Sequence, residues 1–192
     1  MVVQSLSGRP PDSQCTTFLI LMNKLLFIRH AETDFNKQNL WMGCTDHPLN
    51  QTGMLQAQYT ALELSSTRLD AIYSSPLSRA VTSAETIQKH NLSNPPIFIL
   101  DGLKERNFGK FEGRKKSEKN RELLELSDSV ETVDNVKKRV KEALAQIPRH
   151  GNYLIVSHSA IYRIIRSELG FQSAPDVHSL LNMQCVEIVA VK

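Results

Sequence analysis

Four short apolar runs, Leu25 to Ile28, Ala71 to Ser74, Ile97 to Leu100 and Tyr153 to Val156, alternate with stretches of helical spacing, and this alternation constrains the fold more than any other feature. Runs of that length are the kind that fill a sheet covered on both faces. Cys185 to Val191 supplies a further candidate strand. The stretches near Met54 to Leu64, Leu77 to His90, Glu118 to Leu126, Val133 to Gln146 and Ala160 to Leu169 read as amphipathic helices, with Gly53, Gly102, Gly151 and Gly170 at the boundaries. This order predicts a three-layer α/β/α sandwich with helices on both faces of a mainly parallel central sheet. At 192 residues and 41% hydrophobic content, residues 22–192 are expected to form a single domain around one core.

Residues 1–21 read differently. Met1 to Thr17 is rich in Ser, Pro and Gln and has little apolar periodicity, which predicts a poorly ordered N-terminal extension. The apolar stretch Phe18 to Ile28 is interrupted by Asn23 and Lys24, is too short to span a bilayer, and lacks the charged lead-in and cleavage site of a signal peptide. No membrane partner is expected. The three cysteines, Cys15, Cys44 and Cys185, are widely spaced and suggest neither a disulfide framework nor a zinc site, so a cytoplasmic setting is the default. His47, His90, His150 and His178 share no metal-ligand spacing. The net charge of +3 is spread along the sequence, which argues against nucleic-acid binding by bulk charge. The eight glycines form neither a phosphate-binding loop nor a dinucleotide fingerprint, which weighs against nucleotide-driven or NAD-dependent chemistry.

Ligands of open α/β sheets gather beyond the carboxyl ends of the strands. Arg29-His30 closes the first apolar run there, a pairing suited to an anion. The second run leads through Ser75-Pro76-Leu77-Ser78 to Arg79 in an early helical turn; alone, this arginine reads equally well as a solvated helix residue. The fourth run ends in Ser157-His158-Ser159, at a helix start whose amides favour an anion. Alone, a histidine there is more often structural. Glu105 stands in the loop Leu103 to Gly113 after the third run, where an isolated glutamate is ordinarily just solvated. Taken jointly, these strand-end residues point to one anion site.

These residues also carry a family resemblance. From Met22 to Lys192 the chain resembles the histidine phosphatase superfamily, also called phosphoglycerate mutase-like. Arg29-His30-Ala31-Glu32-Thr33 is similar to the signature Arg-His-Gly-Glu-Thr, with Ala31 in place of the commonest glycine. Asn36, then Gly43, Asp46, Pro48, Leu49 and Gly53, match its next blocks. Ser74 to Ala80, Glu105 with Gly109 and Glu112-Gly113, and Ser157-His158 follow in the family's order. The resemblance implies a phosphohistidine on His30 and a phosphoryl group held by Arg29, Asn36, Arg79, His158 and Ser159. It also implies Glu105 as proton donor, with no cofactor and no metal. The chemistry agrees: neutral imidazole, with a reference pKa of about 6.5, is available to attack an anion, and His158, if protonated, adds positive charge. Glu32 and Asp34 compete for the acid role by proximity, but a permanent carboxylate beside the phosphate would repel it. Glu32 is therefore expected to orient the arginine or histidine framework.

Within the family, a mutase must keep water from its phosphohistidine, and family mutases carry an extended segment between the Glu-Gly block and the second histidine strand. Only Arg114 to Val130 stands there in this chain, so hydrolysis of a small phosphomonoester is preferred, with a cofactor-dependent phosphoglycerate mutase as the alternative. A non-catalytic phospho-ligand module is the reading from another class; it would be expected to lack the nucleophile or acid. Arg114, Lys115, Lys116, Lys119 and Arg121 either bind a second acidic group or form a solvated helix face. Phosphosugars, phosphoglycerate-like acids, nucleotide-pathway phosphates including the cobalamin-branch phosphoribosyl compound, and phosphoproteins all fit the family. The retained Glu105 points to oxygen esters, because phosphoramidates leave without an acid. Trp41 and Met42 are expected to pack a loop near the pocket or to cover the sheet edge, and Cys44 is a reactive thiol only if the basic site lowers its pKa. Monomer and homodimer fit equally.

Overall fold

The computed structural model describes residues 24–190, so the N-terminal extension lies outside the described residues. Six strands, β1 (Lys24–Arg29), β2 (Ala71–Ser74), β3 (Ile97–Ile99), β4 (Asn152–Ser157), β5 (Phe171–Ala174) and β6 (Cys185–Ala190), form one sheet in the order β3-β2-β4-β1-β6-β5. The helices are α1 (Asp34–Lys37), α2 (Gln51–Glu63), α3 (Ser78–His90), α4 (Glu118–Glu125), α5 (Val133–Leu144) and α6 (Ser159–Glu168).

Side chains alternate across a strand, and here both faces are apolar. Leu26 and Ile28 of β1 join Ile72, Leu154 and Val156 in packing against Ala57 and Ala61 of α2 and Ala80, Ala84 and Ile87 of α3. Phe27 points the other way, with Tyr73, Tyr153 and Ile155, against Val136 and Val140 of α5 and Ile161 and Ile165 of α6. Two cores on two faces make the three layers, and each fully buried Leu, Ile or Phe contributes about 1.5–3 kcal/mol. The β3, β2, β4 and β1 pairings are parallel, as expected of a mainly parallel sheet.

Register places the strand ends together. Arg29 pairs with Ser157 and Ser74 with Val156, so His30, Ser75 and His158 emerge at one edge of the sheet. Backbone bonds extend the alignment by one step: His30 N donates to Ser157 O at 2.9 Å and Ser75 N to Val156 O at 3.0 Å.

Three elements differ from expectation. The run Ile97 to Leu100 forms an edge strand, and Phe98 and Ile99 remain 48% exposed; apolarity alone does not separate an edge from a covered centre. β5 has the mixed sequence Phe-Gln-Ser-Ala, which lacks a strand signal and is recruited by antiparallel pairing with β6. The short α1 is set by a capping box between Thr33 and Asn36.

Candidate active site

Arg29 ends β1 with its Nη1 donating to Leu180 O at 2.9 Å. His30 follows and is 3% exposed. Its Nδ1 lies 2.7 Å from the carbonyl oxygen of Ala31; a carbonyl only accepts, so Nδ1 carries the proton and Nε2 keeps its lone pair. Burial, reinforced by the guanidinium charges of Arg79 and Arg29, holds His30 well below the ordinary histidine pKa. Ala31 is buried in the core and is not among the positive-φ residues, so nothing in its backbone requires the family's glycine.

Arg79 lies in the first turn of α3 and is fully buried. Its Nη1 donates to Thr45 O at 3.0 Å and its Nη2 to Gly43 O at 2.7 Å. His158 caps α6, with its ring centroid 5.1 Å from that of His30. Its Nε2 lies 2.7 Å from Ser75 Oγ. Ser75 Oγ also accepts from Leu77 N at 3.3 Å; a hydroxyl keeps a second lone pair as well as its own proton, so it pairs with either tautomer of His158. Burial first, then Arg79, His30 and Arg29, lowers the His158 pKa well below its ordinary value. These surroundings oppose the protonation on which an added positive charge from His158 depends.

Five buried side-chain nitrogens lack a hydrogen-bond partner among the described residues: Arg29 Nε, Arg79 Nε, His158 Nδ1, Trp41 Nε1 and His47 Nε2. Leaving a buried donor unmet costs about 1–3 kcal/mol, and three of the five belong to residues clustered at this sheet edge. The arrangement suits a tetrahedral oxyanion.

A cavity of about 330 Å³ opens here, lined by Arg29, His30, Asn36, Arg79, Glu105 and Ser159 among others. Half-buried Glu105 accepts from Arg106 N at 3.0 Å and from Ala160 N at 3.2 Å, so the first turn of α6 steers its carboxylate. Asn36 Oδ1 accepts from Thr33 N at 3.2 Å and from Asn182 Nδ2 at 3.3 Å. It closes the capping box of α1 and also lines the cavity, so the capping and ligand readings coexist.

Sequence reasoning missed Asn182, Ser179 and Arg163, which also line the cavity. Asn182 reaches it from the loop before β6 and donates to His30 O at 2.8 Å; nothing local in that loop marks it. Of the basic segment, Lys116 and Arg121 line the cavity, each about one ring-contact distance (5.4 Å) above Trp41, whereas Arg114 sits over the Phe111 ring outside it. Burial, Arg29 and Arg163 pull the Lys116 pKa down to about 8. Trp41 and Met42 are buried and line the cavity, the first of their two expected placements.

One expectation is corrected. The Glu32 carboxylate accepts from Asn50 Nδ2 at 3.0 Å, supporting the N-cap of α2 instead of an arginine or histidine. Burial and the neighbouring Glu112 carboxylate raise the Cys44 pKa, and its Sγ donates to Glu105 O at 3.3 Å, so the thiol is not activated. Among the described residues no helix is long and apolar enough to cross a membrane, and no His, Cys, Asp and Glu cluster is built to hold a metal.

The model of the histidine phosphatase superfamily (branch 1) matches residues 25–189. The uncharacterized phosphatase PhoE of Bacillus subtilis is 33% identical over 152 residues, covering 77% of this chain and 78% of that protein. A 2,3-bisphosphoglycerate-dependent phosphoglycerate mutase of Cytophaga hutchinsonii is 28% identical over 170 residues, 80% of each chain. The crystal structure of the alpha-ribazole phosphatase from Shigella flexneri superposes with a TM-score of 0.66 at 25% identity, covering 77% of this chain and 79% of that one. Matched from its first strand into its last, the chain belongs to branch 1 of the histidine phosphatase superfamily, among phosphatases and phosphoglycerate mutases.

Proposed function

We propose that this chain hydrolyses a small phosphomonoester through a phosphohistidine on His30. The observation that carries the reading is a buried His30 with its proton fixed on Nδ1 and its Nε2 lone pair free, beside the unpartnered Nε–H groups of Arg29 and Arg79 and the unpartnered Nδ1 of His158. In the first step Nε2 attacks phosphorus while the ester P–O bond breaks, and protonated Glu105 delivers its proton to the leaving oxygen. The Ala31 carbonyl supports the positive charge that develops on the imidazole. In the second step Glu105 takes a proton from water, the water oxygen attacks phosphorus, the P–N bond breaks and inorganic phosphate departs. The phosphoryl oxygens stay negative throughout, so preorganised donors supply most of the stabilisation. Asn36 Nδ2 and the start of α6 at Ser159 complete the grip.

Hydrolysis is favoured over mutase chemistry because the eight-residue α4 is the one helix between the Glu112-Gly113 block and α5, a small cover for a site that would have to exclude water. A non-catalytic module fits less well, since both His30 and Glu105 line the cavity. Lys116, Arg121 and Arg163 line the same cavity and form no ion pair among the described residues. The preferred substrate therefore carries a second anionic group.

The test is phosphate release by wild type and two variants. His30→Ala is expected to abolish release from p-nitrophenyl phosphate and to trap no labelled phosphoenzyme. Glu105→Gln is expected to slow an alkyl phosphate roughly 100- to 10,000-fold, with far less effect on p-nitrophenyl phosphate, whose leaving group needs no proton. Label retained on His30→Ala, or a small Glu105→Gln effect beside a large one for Asp34→Asn, would overturn the assignment. Rapid interconversion of 2- and 3-phosphoglycerate without free phosphate would establish the mutase instead.

A further inference from the structure

Glu112 lies outside the cavity lining, yet its carboxylate is nearly saturated with donors. Oε1 accepts from Cys44 N at 3.0 Å and Phe108 N at 3.1 Å, and Oε2 accepts from Thr45 N at 2.9 Å and also from Thr45 Oγ1. A carboxylate has about four acceptor sites, and here two backbone amides and a hydroxyl come from a single loop. That loop is the one that holds Arg79: the carbonyls of Gly43 and Thr45 receive its two terminal nitrogens. The fourth donor, Phe108 N, belongs to the segment that begins with Glu105.

We infer that Glu112 is a positioning residue for phosphoryl transfer: it clamps loop 43–45 so that the Gly43 and Thr45 carbonyls fix the Arg79 guanidinium with Nε free for the phosphoryl group. The inference rests on the proposed phosphoryl site. Three observations on the loop favour it. The Arg79 guanidinium is buried, so its direction is set by its two carbonyl partners and not by water. Gly43 has φ +56°, and a Cβ there would lie 1.9 Å from Glu112 Oε1, so the loop's turn and the carboxylate occupy interlocking space. Asp46, next in the same loop, accepts from Ser78 N at 2.9 Å at the start of α3, which ties the loop to the helix that carries Arg79. Through Phe108 N the same carboxylate also sets the spacing between the Arg79 loop and the Glu105 segment. The link is supported by Cys44 Sγ, which donates to Glu105 O at 3.3 Å.

A double-mutant comparison tests it, with inorganic phosphate as the probe and calorimetric affinity as the readout, so that no turnover is required. Glu112→Gln keeps the shape but faces one loop amide with an N–H group. It is expected to weaken phosphate binding about 10- to 100-fold, the equivalent of losing one or two charge-assisted hydrogen bonds. In an Arg79→Ala background the same change is expected to alter affinity less than about twofold, because a clamp acting through Arg79 has nothing left to position. A merely structural role would weaken binding by the same factor in both backgrounds, which would overturn the inference, as would unchanged affinity in Glu112→Gln alone. Should Glu112→Gln fail to fold, Thr45→Val removes a single donor at an exposed position. It is expected to weaken phosphate binding in the wild-type background and not in Arg79→Ala; equal effects in both would again overturn the clamp. A wild-type protein that binds no phosphate refutes the site itself, a different result from equal binding by wild type and variants.

Discussion

At the residue scale, the local environment assigns different protonation states to chemically similar groups. His30 and His158 are held well below the ordinary histidine pKa because desolvation and two guanidinium groups act in the same direction on both. The Ala31 carbonyl fixes the His30 proton on Nδ1, whereas His158 meets a Ser75 hydroxyl that accommodates either tautomer. Lys116 is the nearby cation within reach of a physiological titration, with its pKa brought to about 8. Its charge is present below that pH and is lost above it. If it binds a second anionic group, kcat/KM for 3-phosphoglycerate relative to glycerol 3-phosphate is expected to fall as pH rises through about 8. The ratio matters because the two compounds share the phosphoester and differ in the carboxylate. A steady-state pH profile checks this; a flat ratio, or the same fall in Lys116→Gln, would remove Lys116 from the subsite.

At the element scale, helix starts carry the site, and they are built from side chains far apart in sequence. Asn50 caps α2 through Gly53 N at 2.8 Å, and its own amide is held by the Glu32 carboxylate. Gly53 sits against the Glu32 carbonyl, which a Cβ would approach to 2.1 Å. Gly→Ala within a helix ordinarily stabilises by about 0.5–1 kcal/mol. Here Gly53→Ala is expected to destabilise by about 1–3 kcal/mol, the usual penalty of overpacking, and to slow turnover by displacing the segment that follows His30. Urea unfolding with parallel assays measures both; a more stable, fully active variant would contradict the packing argument. The helices α3, α4, α5 and α6 were legible in the sequence to within about two residues, because amphipathic spacing is local information. β5 and the edge position of β3 were not, since a strand's neighbours are chosen by tertiary pairing.

At the scale of the whole molecule, the buried neutral histidines couple folding to pH. Their pKa values are depressed in the folded state, so below about 6.5, the unfolded reference, the unfolded chain binds more protons than the folded one. Stability is therefore present in full above that pH and declines as pH falls below it. Thermal unfolding between pH 7.5 and 5 is expected to show this decline, with a shallower slope in His158→Gln and partial recovery when phosphate is added. An equal slope in that variant would show that other groups govern the acid limb.

The sequence by itself determined the layered α/β class, the strand ends that carry Arg29-His30, Arg79, Glu105 and His158-Ser159, and a family signature, because apolar runs and the residues that end them are adjacent along the chain. Only the tertiary structure decided that Asn182 reaches the cavity, that Lys116 and Arg121 alone of their basic segment face it, that Glu32 braces a helix cap and that Glu112 holds the loop behind Arg79. Each of these depends on which distant backbone group a side chain meets, and that is fixed by the register of the sheet and the packing of its loops.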